Sequence, residues 1–393
     1  MKKRILSIVL AVCLIFGSVA MCANAFELPG LRFDENGEFK ILHLCDCQDE
    51  YPAIETMLEY IDYALKTYEP DLVVLGGDNT TGPAETKKEA IKELVTPFVK
   101  NEVYFTLVFG NHDREQGVDN DTLLTYYQEF GGKYCLAYDA IPALSGSANH
   151  NLPIFASEGN KVAFNLFMFD SGSSLHDENG EWYSYDCVRE DQIEWYKGVS
   201  KTLEAANGGK VVPAMVFQHI IVAEIYDALF PEVGFSLDPI TQHYNDKDYL
   251  ITCPDTSVLN GFIFEPPCPS GLNFGQYDAM VERGDVLAIY SGHDHVNAFE
   301  VEYKGIDIIN TPGATYNLYG NDIVRGSRLI TINEDDPAAY TTELVTVNDL
   351  AIENADFAEA SGVTPIAGYF WNFLGDFLLA LSKASSFIAG IIY

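Results

Sequence analysis

Five short polar segments in this chain each follow an apolar run of the kind that forms a buried β-strand. The first three runs alternate with stretches of helical spacing, which favours a parallel sheet in an α/β protein. Polar groups just after such strands lie where α/β enzymes place their reactive residues. The five segments are Asp46-Cys47-Gln48, Gly77-Asp78-Asn79, Gly110-Asn111-His112-Asp113, Phe217-Gln218-His219 and Gly292-His293-Asp294-His295.

The side chains of these segments are of the types that bind transition metals. Asp78 follows a double-glycine break and is the natural candidate for a carboxylate shared by two ions. Two ions about 3.5–4 Å apart can bind a phosphoryl group and activate a water molecule. Mixed nitrogen and oxygen ligands favour Zn, Fe, Mn or Co over Ca. The candidate ligands from residue type alone are Asp46, Asp78, Asn111, His219, His293 and His295.

His112 is predicted to have a different role from the ligands. It directly follows Asn111, so its ring is expected in the same cleft without binding a metal. A histidine there can donate a proton to a leaving alkoxide. We expect Asp113 to orient that ring.

In this order the segments resemble the motif set of the calcineurin-like metallophosphoesterases. That set is Asp-x-His, Gly-Asp-x-x, Gly-Asn-His-Asp/Glu, a lone His and Gly-His-x-His. The resemblance covers roughly residues 38–320, and Gly110 to Asp113 with Gly292 to His295 are its most specific parts. It implies an α/β fold with a two-sheet β-sandwich flanked by helices, and a catalytic domain over 36–350.

The resemblance also implies a division of the ligands between two divalent metal ions, with Mn, Fe or Zn as the candidates. Asp46, Asp78 and His295 would serve one ion, and His112 would be the general acid. The ligands of the other ion would be Asp78, Asn111, His219 and His293. Three further segments are similar to the branch described as purple-acid-phosphatase-like, namely Asp170-Ser171-Gly172, Gln192 to Trp195 and Gly292 to Asn297.

Two positions depart from the family pattern. Gln48 stands where the first motif has histidine, and an amide oxygen is a weaker, harder ligand than an imidazole. The first ion is therefore expected to bind loosely or to be Mn or Mg, with Gln48 as its ligand. Purple enzymes have a tyrosine three residues after the bridging aspartate, where this chain has Thr81. We predict no tyrosinate-to-iron absorption band.

Charge narrows the range of partners. The chain has 58 acidic and 23 basic side chains and a formal net charge of −35. Such a surface repels nucleic acid, so we expect no nucleic-acid-binding surface. It also repels phosphate esters, so a phosphate site needs local positive charge, for which bound metal ions are the obvious source.

The two ends of the chain differ from the middle. Residues 1–25 have the basic start, apolar stretch and small-residue cleavage site of a secretory signal peptide, which predicts a secreted or cell-surface protein. The alternative is a membrane anchor that stays attached. Residues 351–393 form an apolar, amphipathic tail. The stretch over 365–393 predicts a helix that either contacts a membrane or packs on the domain's own core.

Three functions fit this pattern. The first is an exported hydrolase that cleaves phosphomonoesters by attack of a metal-bridging hydroxide, with His112 protonating the leaving group. The second is a phosphodiesterase acting on nucleotides or lipid headgroups. The third is a non-catalytic binding protein on the same fold that lost a metal through Gln48.

Overall fold

The structure is a computed structural model that describes residues 30–233, 241–244, 247–251, 254–255 and 257–392, without the side chains of 241–243 and 384–392. The predicted signal peptide over 1–25 lies outside the described residues. The strands are β1 Leu31–Arg32, β2 Glu38–Leu44, β3 Leu72–Gly76, β4 Tyr104–Val108, β5 His150–Phe155, β6 Val162–Met168, β7 Ser174–His176, β8 Trp182–Tyr185, β9 Ala214–Phe217, β10 Glu232–Val233, β11 Thr241–Tyr244, β12 Lys247–Leu250, β13 Leu259–Phe262, β14 Val286–Ser291, β15 Ala298–Tyr303, β16 Ile306–Asn310, β17 Gly326–Asn333 and β18 Thr341–Thr346.

The described helices flank these strands along the chain. The α-helices are α1 Glu55–Tyr68, α2 Lys87–Lys100, α3 Asn120–Gly131, α4 Glu190–Ala206, α5 Ile225–Leu229, α6 Gln276–Arg283, α7 Val347–Glu353, α8 Ala355–Ser361 and α9 Pro365–Ile392. Short 3-10 helices cover Glu115–Gly117, Gly132–Tyr134 and Pro337–Ala339.

The smaller of the two main sheets has five strands in the order β18-β17-β2-β3-β4. Strands β2, β3 and β4 are parallel, with Leu42 opposite Val73 and Val73 opposite Phe105. The alternation of strand and helix predicted this part. The sheet as a whole is mixed, because β17 pairs antiparallel with both β2 and β18.

The larger sheet is also mixed. Its strands follow one another in the order β5-β6-β9-β14-β16-β15-β13. The central strands β6, β9, β14 and β16 are parallel, while β5, β15 and β13 pair antiparallel with their neighbours. Because β9 and β14 are adjacent and parallel, the segments that follow them emerge side by side.

The two sheets face each other. The ring of His43 on β2 contacts Phe217 on β9 and Tyr290 on β14, with centroids 5.0 and 5.7 Å apart. Thr106 on β4 and His150 on β5 make a second link, 2.6 Å between Oγ1 and Nε2. Strand side chains alternate between faces, so each sheet has an outer face for helices.

Helices cover both outer faces of this sandwich. Leu42 and Leu44 on β2 share a buried cluster with residues of α1, α2, α3, α7 and α8. On the larger sheet, Phe167 and Ile289 share a second cluster with Tyr196 of α4 and Met280 of α6. The predicted α/β fold, a two-sheet sandwich flanked by helices, is confirmed.

The C-terminal segment is helical and packs on the domain through one side. Trp371, Leu374 and Leu378 of α9 contact the buried cluster of Ile323 and Val324. The predicted start of the tail at 351 falls inside α7, whose core-facing side chains are buried. Within the described part of the chain, no helix is both long and apolar enough to cross a bilayer.

Candidate metal centre

The loops that carry the candidate ligands are tied to one another by backbone hydrogen bonds. The amide of Asp46 donates to Gly77 (3.0 Å), and that of Gln48 donates to Asp78 (2.9 Å). At the end of the larger sheet, the amide of Gly292 donates to the carbonyl of His219 (3.1 Å). Each bond joins two neighbouring strand ends, so the parallel order of the strands fixes the relative positions of the ligands.

Several candidate residues have the left-handed backbone conformation that L-residues rarely adopt. The φ angles are 49° at Asp46, 38° at Gln48, 49° at Asp78 and 74° at His293. Such conformations cost free energy and persist where the surrounding structure enforces them. These four residues belong to three of the candidate loops. Strained conformations of this kind often occur together at functional sites.

Motif glycines allow the close approach of the ligands. A Cβ on Gly77 would lie 2.6 Å from Nδ1 of His219, and a Cβ on Gly292 would lie 2.6 Å from Oδ2 of Asp46. A larger residue at either position would displace a candidate ligand.

Three of the candidate ligands form a compact cluster. Ligand atoms of Asp78, His219 and His293 all lie within 4.8 Å of one another, and all three residues are buried. Nε2 of His219 is 3.1 Å from Oδ2 of Asp78. This cluster brings together segments that are more than 200 residues apart in the sequence.

Asp46 and His295 continue the cluster on one side. Oδ1 of Asp46 is 3.4 Å from Nε2 of His295 and 3.9 Å from Nε2 of His219. The other carboxylate oxygen, Oδ2, accepts a hydrogen bond from the amide of His293 (3.0 Å). Asp46 is thus held with one oxygen directed at the histidines.

The donor set fits divalent metal ions. Buried polar atoms without a hydrogen-bond partner are costly, and native proteins rarely leave them so. Here such atoms coincide with the expected ligand atoms, namely Oδ1 of Asp46, Oε1 of Gln48, Oδ1 of Asn111, Nε2 of His219 and Nε2 of His293. A metal ion would satisfy these atoms together.

Two histidine rings are oriented for ligation by Nε2. Nδ1 of His219 is 2.9 Å from the carbonyl of Gly76, and Nδ1 of His295 is 3.0 Å from the carbonyl of Tyr319. A carbonyl only accepts, so Nδ1 must donate in both rings. The neutral ring then presents the Nε2 lone pair to the centre, as in many metal sites.

Electrostatics support a neutral His293 and an ionised Asp78. Burial lowers the pKa of His293 to about 3, which keeps the imidazole in its ligating form. Burial alone would raise the pKa of Asp78, but attraction from His219 outweighs it and lowers that pKa. Attraction from Asp78 likewise raises the pKa of His219 to about 10 against the effect of burial, so a metal ion bound at Nε2 would have to displace a proton there.

Gln48 contacts the central carboxylate. Its Nε2 donates to Oδ2 of Asp78 (3.0 Å), while its Oε1 is buried without a partner. One end of the amide is therefore anchored, and the other is available as a weak oxygen ligand.

His112 lies at the accessible edge of the cluster, where its side chain is 42% exposed. Its Nε2 is 4.0 Å from Oδ2 of Asp78, and its Nδ1 is 2.8 Å from Oε1 of Glu115. Asp113, which we expected to orient this ring, instead accepts hydrogen bonds from the amides of Asn79 (2.9 Å) and Gly110 (2.8 Å). Its carboxylate joins two ligand loops, and Glu115 has the orienting position.

The segments typical of the purple-acid-phosphatase-like branch support the loop of His219. Oγ of Ser171 accepts a hydrogen bond from the amide of Ile220 (2.9 Å). Nε2 of Gln192 donates to the carbonyl of Asp170 (2.7 Å), which connects two of these segments. Ser171 thus supports the loop of His219, and Gln192 supports the segment that contains Ser171.

Sequence reasoning missed three neighbours of the centre, which are Glu115 and two tyrosines. The ring of Tyr185 lies 4.4 Å from that of His293, and the ring of Tyr319 lies 4.2 Å from that of His295. The spacing of three residues between His112 and Glu115 was a usable signal for a pair within one turn. Nothing local marks either tyrosine.

The sequence of this chain is similar to a known protein family and to several known proteins. The sequence profile of the family described as Calcineurin-like phosphoesterase matches residues 39–297. An Arabidopsis thaliana protein named Probable inactive purple acid phosphatase 14 is 29% identical over 353 residues, covering 81% of this chain and 82% of that protein.

Two further relatives are more distant. Probable inactive purple acid phosphatase 29 of Arabidopsis thaliana is 24% identical over 81% of this chain and 84% of its own length. Phosphatase DCR2 of Saccharomyces cerevisiae is 25% identical over 68% of this chain and 46% of its own length. The profile match covers well over half of the chain. The protein therefore belongs to the calcineurin-like phosphoesterase family, a family of metal-dependent phosphoester hydrolases, and to its purple-acid-phosphatase-like branch.

Proposed function

We propose that this protein is an exported phosphoesterase with two metal ions that hydrolyses phosphomonoesters. One observation carries the proposal. Buried ligand atoms of Asp46, Asn111, His219 and His293 lack hydrogen-bond partners and belong to the loops that meet beside the accessible ring of His112. The catalytic domain is assigned to 36–350.

The residues that would hold the metals follow from the geometry and the family resemblance. Asp46, Asp78 and His295, with Oε1 of Gln48, would hold one ion. The ligands of the other would be Asp78, Asn111, His219 and His293. When bound, Mn, Fe or Zn would supply a nucleophilic water of lowered pKa and positive charge for the phosphoryl oxygens.

The chain's own side chains account for the proton transfer. His112 donates a proton to the leaving alkoxide, and a protonated ring is needed for that step. Burial lowers the pKa of His112, but attraction from Asp78 and Glu115 outweighs it and raises the pKa above its usual value. Glu115 also fixes the ring through Nδ1, so Nε2 is the atom that donates.

A binding protein without catalytic activity is the second candidate. Gln48 replaces the histidine of the first motif, and two relatives from Arabidopsis thaliana are named probable inactive. The retention of His112 with its partner Glu115 favours catalysis, since a binding site has little use for a proton donor. Phosphodiester hydrolysis is a third candidate, and the substrate comparison below tests it.

Hydrolysis is tested with an aryl phosphate monoester and the matching diester. Metal content is measured by elemental analysis, and rates are compared with added Mn, Zn or Fe and after thorough chelation. We expect turnover of the monoester that requires metal, and a loss of about a hundred-fold or more in His112→Ala. The control is His176→Ala, which changes an exposed histidine in the β7–β8 hairpin.

Three results would overturn the proposal. The first is turnover that survives chelation. The second is equal activity in His112→Ala and the control. The third is two bound metals with no hydrolysis of either ester, which would favour the binding protein.

Export is part of the proposal. Cleavage after residue 25 is tested by N-terminal sequencing of protein recovered from the medium.

Membrane contact through α9 is also part of the proposal. The side of α9 that faces away from the domain is apolar, with Ile366, Tyr369, Phe370, Phe373, Phe377 and Leu381 exposed. Such a surface is typical of a helix that lies on a membrane. Flotation with zwitterionic vesicles, compared between the whole chain and Phe373→Ser with Phe377→Ser, tests it.

A further inference from the structure

Two tyrosines flank the centre, each in contact with a proposed metal ligand. Tyr319 lies against His295, in the half of the centre that contains Asp46. Tyr185 lies against His293, in the half that contains Asp78. The mechanism proposed above uses neither ring.

Tyr319 is built as a stacking platform. Its ring is parallel to that of His295, with an angle of 4° between the planes and 4.2 Å between centroids. Tyr319 is nevertheless 55% exposed, so part of the residue is accessible from solvent. Its hydroxyl donates to Oε1 of Glu265 (3.2 Å), which holds the ring in this orientation. A fixed aromatic face costs little entropy when a second ring stacks on it.

Tyr185 belongs to a second aromatic group, on the β7–β8 hairpin. Its ring meets that of His293 edge to face, at 85°, and the ring of Trp182 also contacts it, with centroids 5.5 Å apart. Trp182 is itself largely exposed. Nε of Arg114 donates to Oγ of Ser173 (3.0 Å), which ties the start of this hairpin to the loop of His112. The aromatic group therefore borders the side from which the leaving group is protonated.

The rim carries the carboxylates of Glu115 and Glu265, and the guanidinium of Arg114 is engaged by Ser173. Glu115 pairs with His112, and Glu265 pairs with Tyr319. Extra negative charge on the alcohol part of a substrate would be repelled by these two carboxylates. An uncharged planar ring would instead meet the exposed residues Tyr319 and Trp182, and stacking on aromatic side chains tolerates many ring types.

We propose that the substrates are phosphate monoesters whose alcohol part is uncharged and contains a planar aromatic ring, with Tyr319 and Tyr185 as the residues that select it. This inference rests on the proposed function for the position of the phosphate. The ring comes from an aryl alcohol or from a nucleoside, since either ring can stack on an aromatic side chain.

Binding of phosphonates tests the inference without requiring hydrolysis. Phenylphosphonate and methylphosphonate share the metal-binding group and differ in the ring. Calorimetry with the manganese-loaded whole chain is expected to give phenylphosphonate an affinity about three- to ten-fold higher, as one aromatic stacking contact provides. Tyr319→Leu and Tyr185→Leu should each reduce this preference, measured as the ratio of the two phosphonate affinities within the same variant. The control is Tyr369→Leu, on the exposed side of α9.

Kinetics distinguish the two sources of the ring and separate this inference from the proposed function. Values of kcat/KM are compared for an aryl phosphate against glycerol phosphate, and for a nucleoside monophosphate against ribose phosphate. A ring preference in binding without any hydrolysis would sustain the inference and refute the proposed function. Hydrolysis with equal affinity for the two phosphonates would refute the inference alone. Failure of phenylphosphonate to bind, or a preference that persists in both tyrosine variants, would also refute it.

Discussion

The two halves of the proposed metal centre differ in the side-chain ligands that they provide for a metal ion. The half with Asp78, His219 and His293 is a compact, buried set with two imidazoles and a carboxylate. The half with Asp46 and His295 has one imidazole, and Gln48 replaces a second. Borderline metals prefer imidazole to amide oxygen, so the first half should retain its ion and the second should exchange it.

The comparison also explains how a chain can keep the fold and differ in activity. Gln48 is more than a missing imidazole, because its Nε2 donates a hydrogen bond to Asp78, the carboxylate that we propose both halves share. The weaker half thus contributes to the geometry of the stronger one. Loss of the labile ion would leave a folded protein that still binds one ion but has little activity. This is one way in which a relative can become inactive.

Asp78→Asn should have the largest effect, because it removes the charge shared by both halves. We expect a loss of several kcal/mol of transition-state stabilisation, about a thousand-fold in rate, and loss of both ions by elemental analysis. Asp336→Asn, which changes an exposed carboxylate before the last 3-10 helix, is the control. Two ions retained by Asp78→Asn would mean that this residue does not join the halves.

His293→Ala and His295→Ala compare the halves directly. His293→Ala should lose the ion that the parent protein retains, and its activity should fall by about a hundred-fold or more. His295→Ala should lose only the labile ion, and excess Mn should restore much of its activity. Elemental analysis before and after dialysis against a weak chelator measures both. If the two variants lost the same ions to the same extent, the predicted difference in ion retention between the halves would be wrong.

Gln48→His should make the halves more alike. An added imidazole is expected to raise the affinity of the weaker half by about ten-fold or more, in the range that single changes around metal sites produce. Chelator titration should then show two retained ions where the parent chain retains one. Gln48→Ala is the matched variant, and it should weaken metal binding further because Asp78 loses a hydrogen-bond donor. Equal retention in all three proteins would contradict a ligand role for position 48.

The sequence made the arrangement of the Asp78 and Asn111 loops predictable, because the strand connections on that side of the centre are local. Asp78 and Asn111 follow adjacent parallel strands, and the strand order there is set by short strand–helix–strand connections. The mixed nature of both sheets was not predictable from those units, since β17 pairs with β2 across nearly 300 residues. The tyrosines were missed for the same reason. Tyr185 reaches the centre through a hairpin and Tyr319 through a loop, and loop conformation is not encoded in local spacing.

The partner of His112 was misassigned for a more local reason. Asp113 is adjacent to the ring in sequence, but adjacent residues in a turn point in different directions, and its carboxylate instead accepts hydrogen bonds from the amides of Gly110 and Asn79. Glu115, three residues on, comes back to Nδ1 at the start of a 3-10 helix. A spacing of three residues within one turn therefore predicts the partner of the His112 ring better than adjacency in the sequence does.

Glu115→Gln should give the smallest effect and sharpens the role of His112. Glu115 raises the pKa of His112, so its neutral replacement lowers that pKa. A general acid works only while protonated, so the alkaline limb of the rate profile should move to lower pH. The loss at the optimum should be at most about five-fold, because the pair is partly exposed. Glu129→Gln, which breaks the exposed pair with Lys88, is the control and should leave the limb in place. An unmoved limb in Glu115→Gln would mean that another group sets the proton-donating step, and a shift to higher pH would mean that Glu115 acts on the ring with the opposite sign.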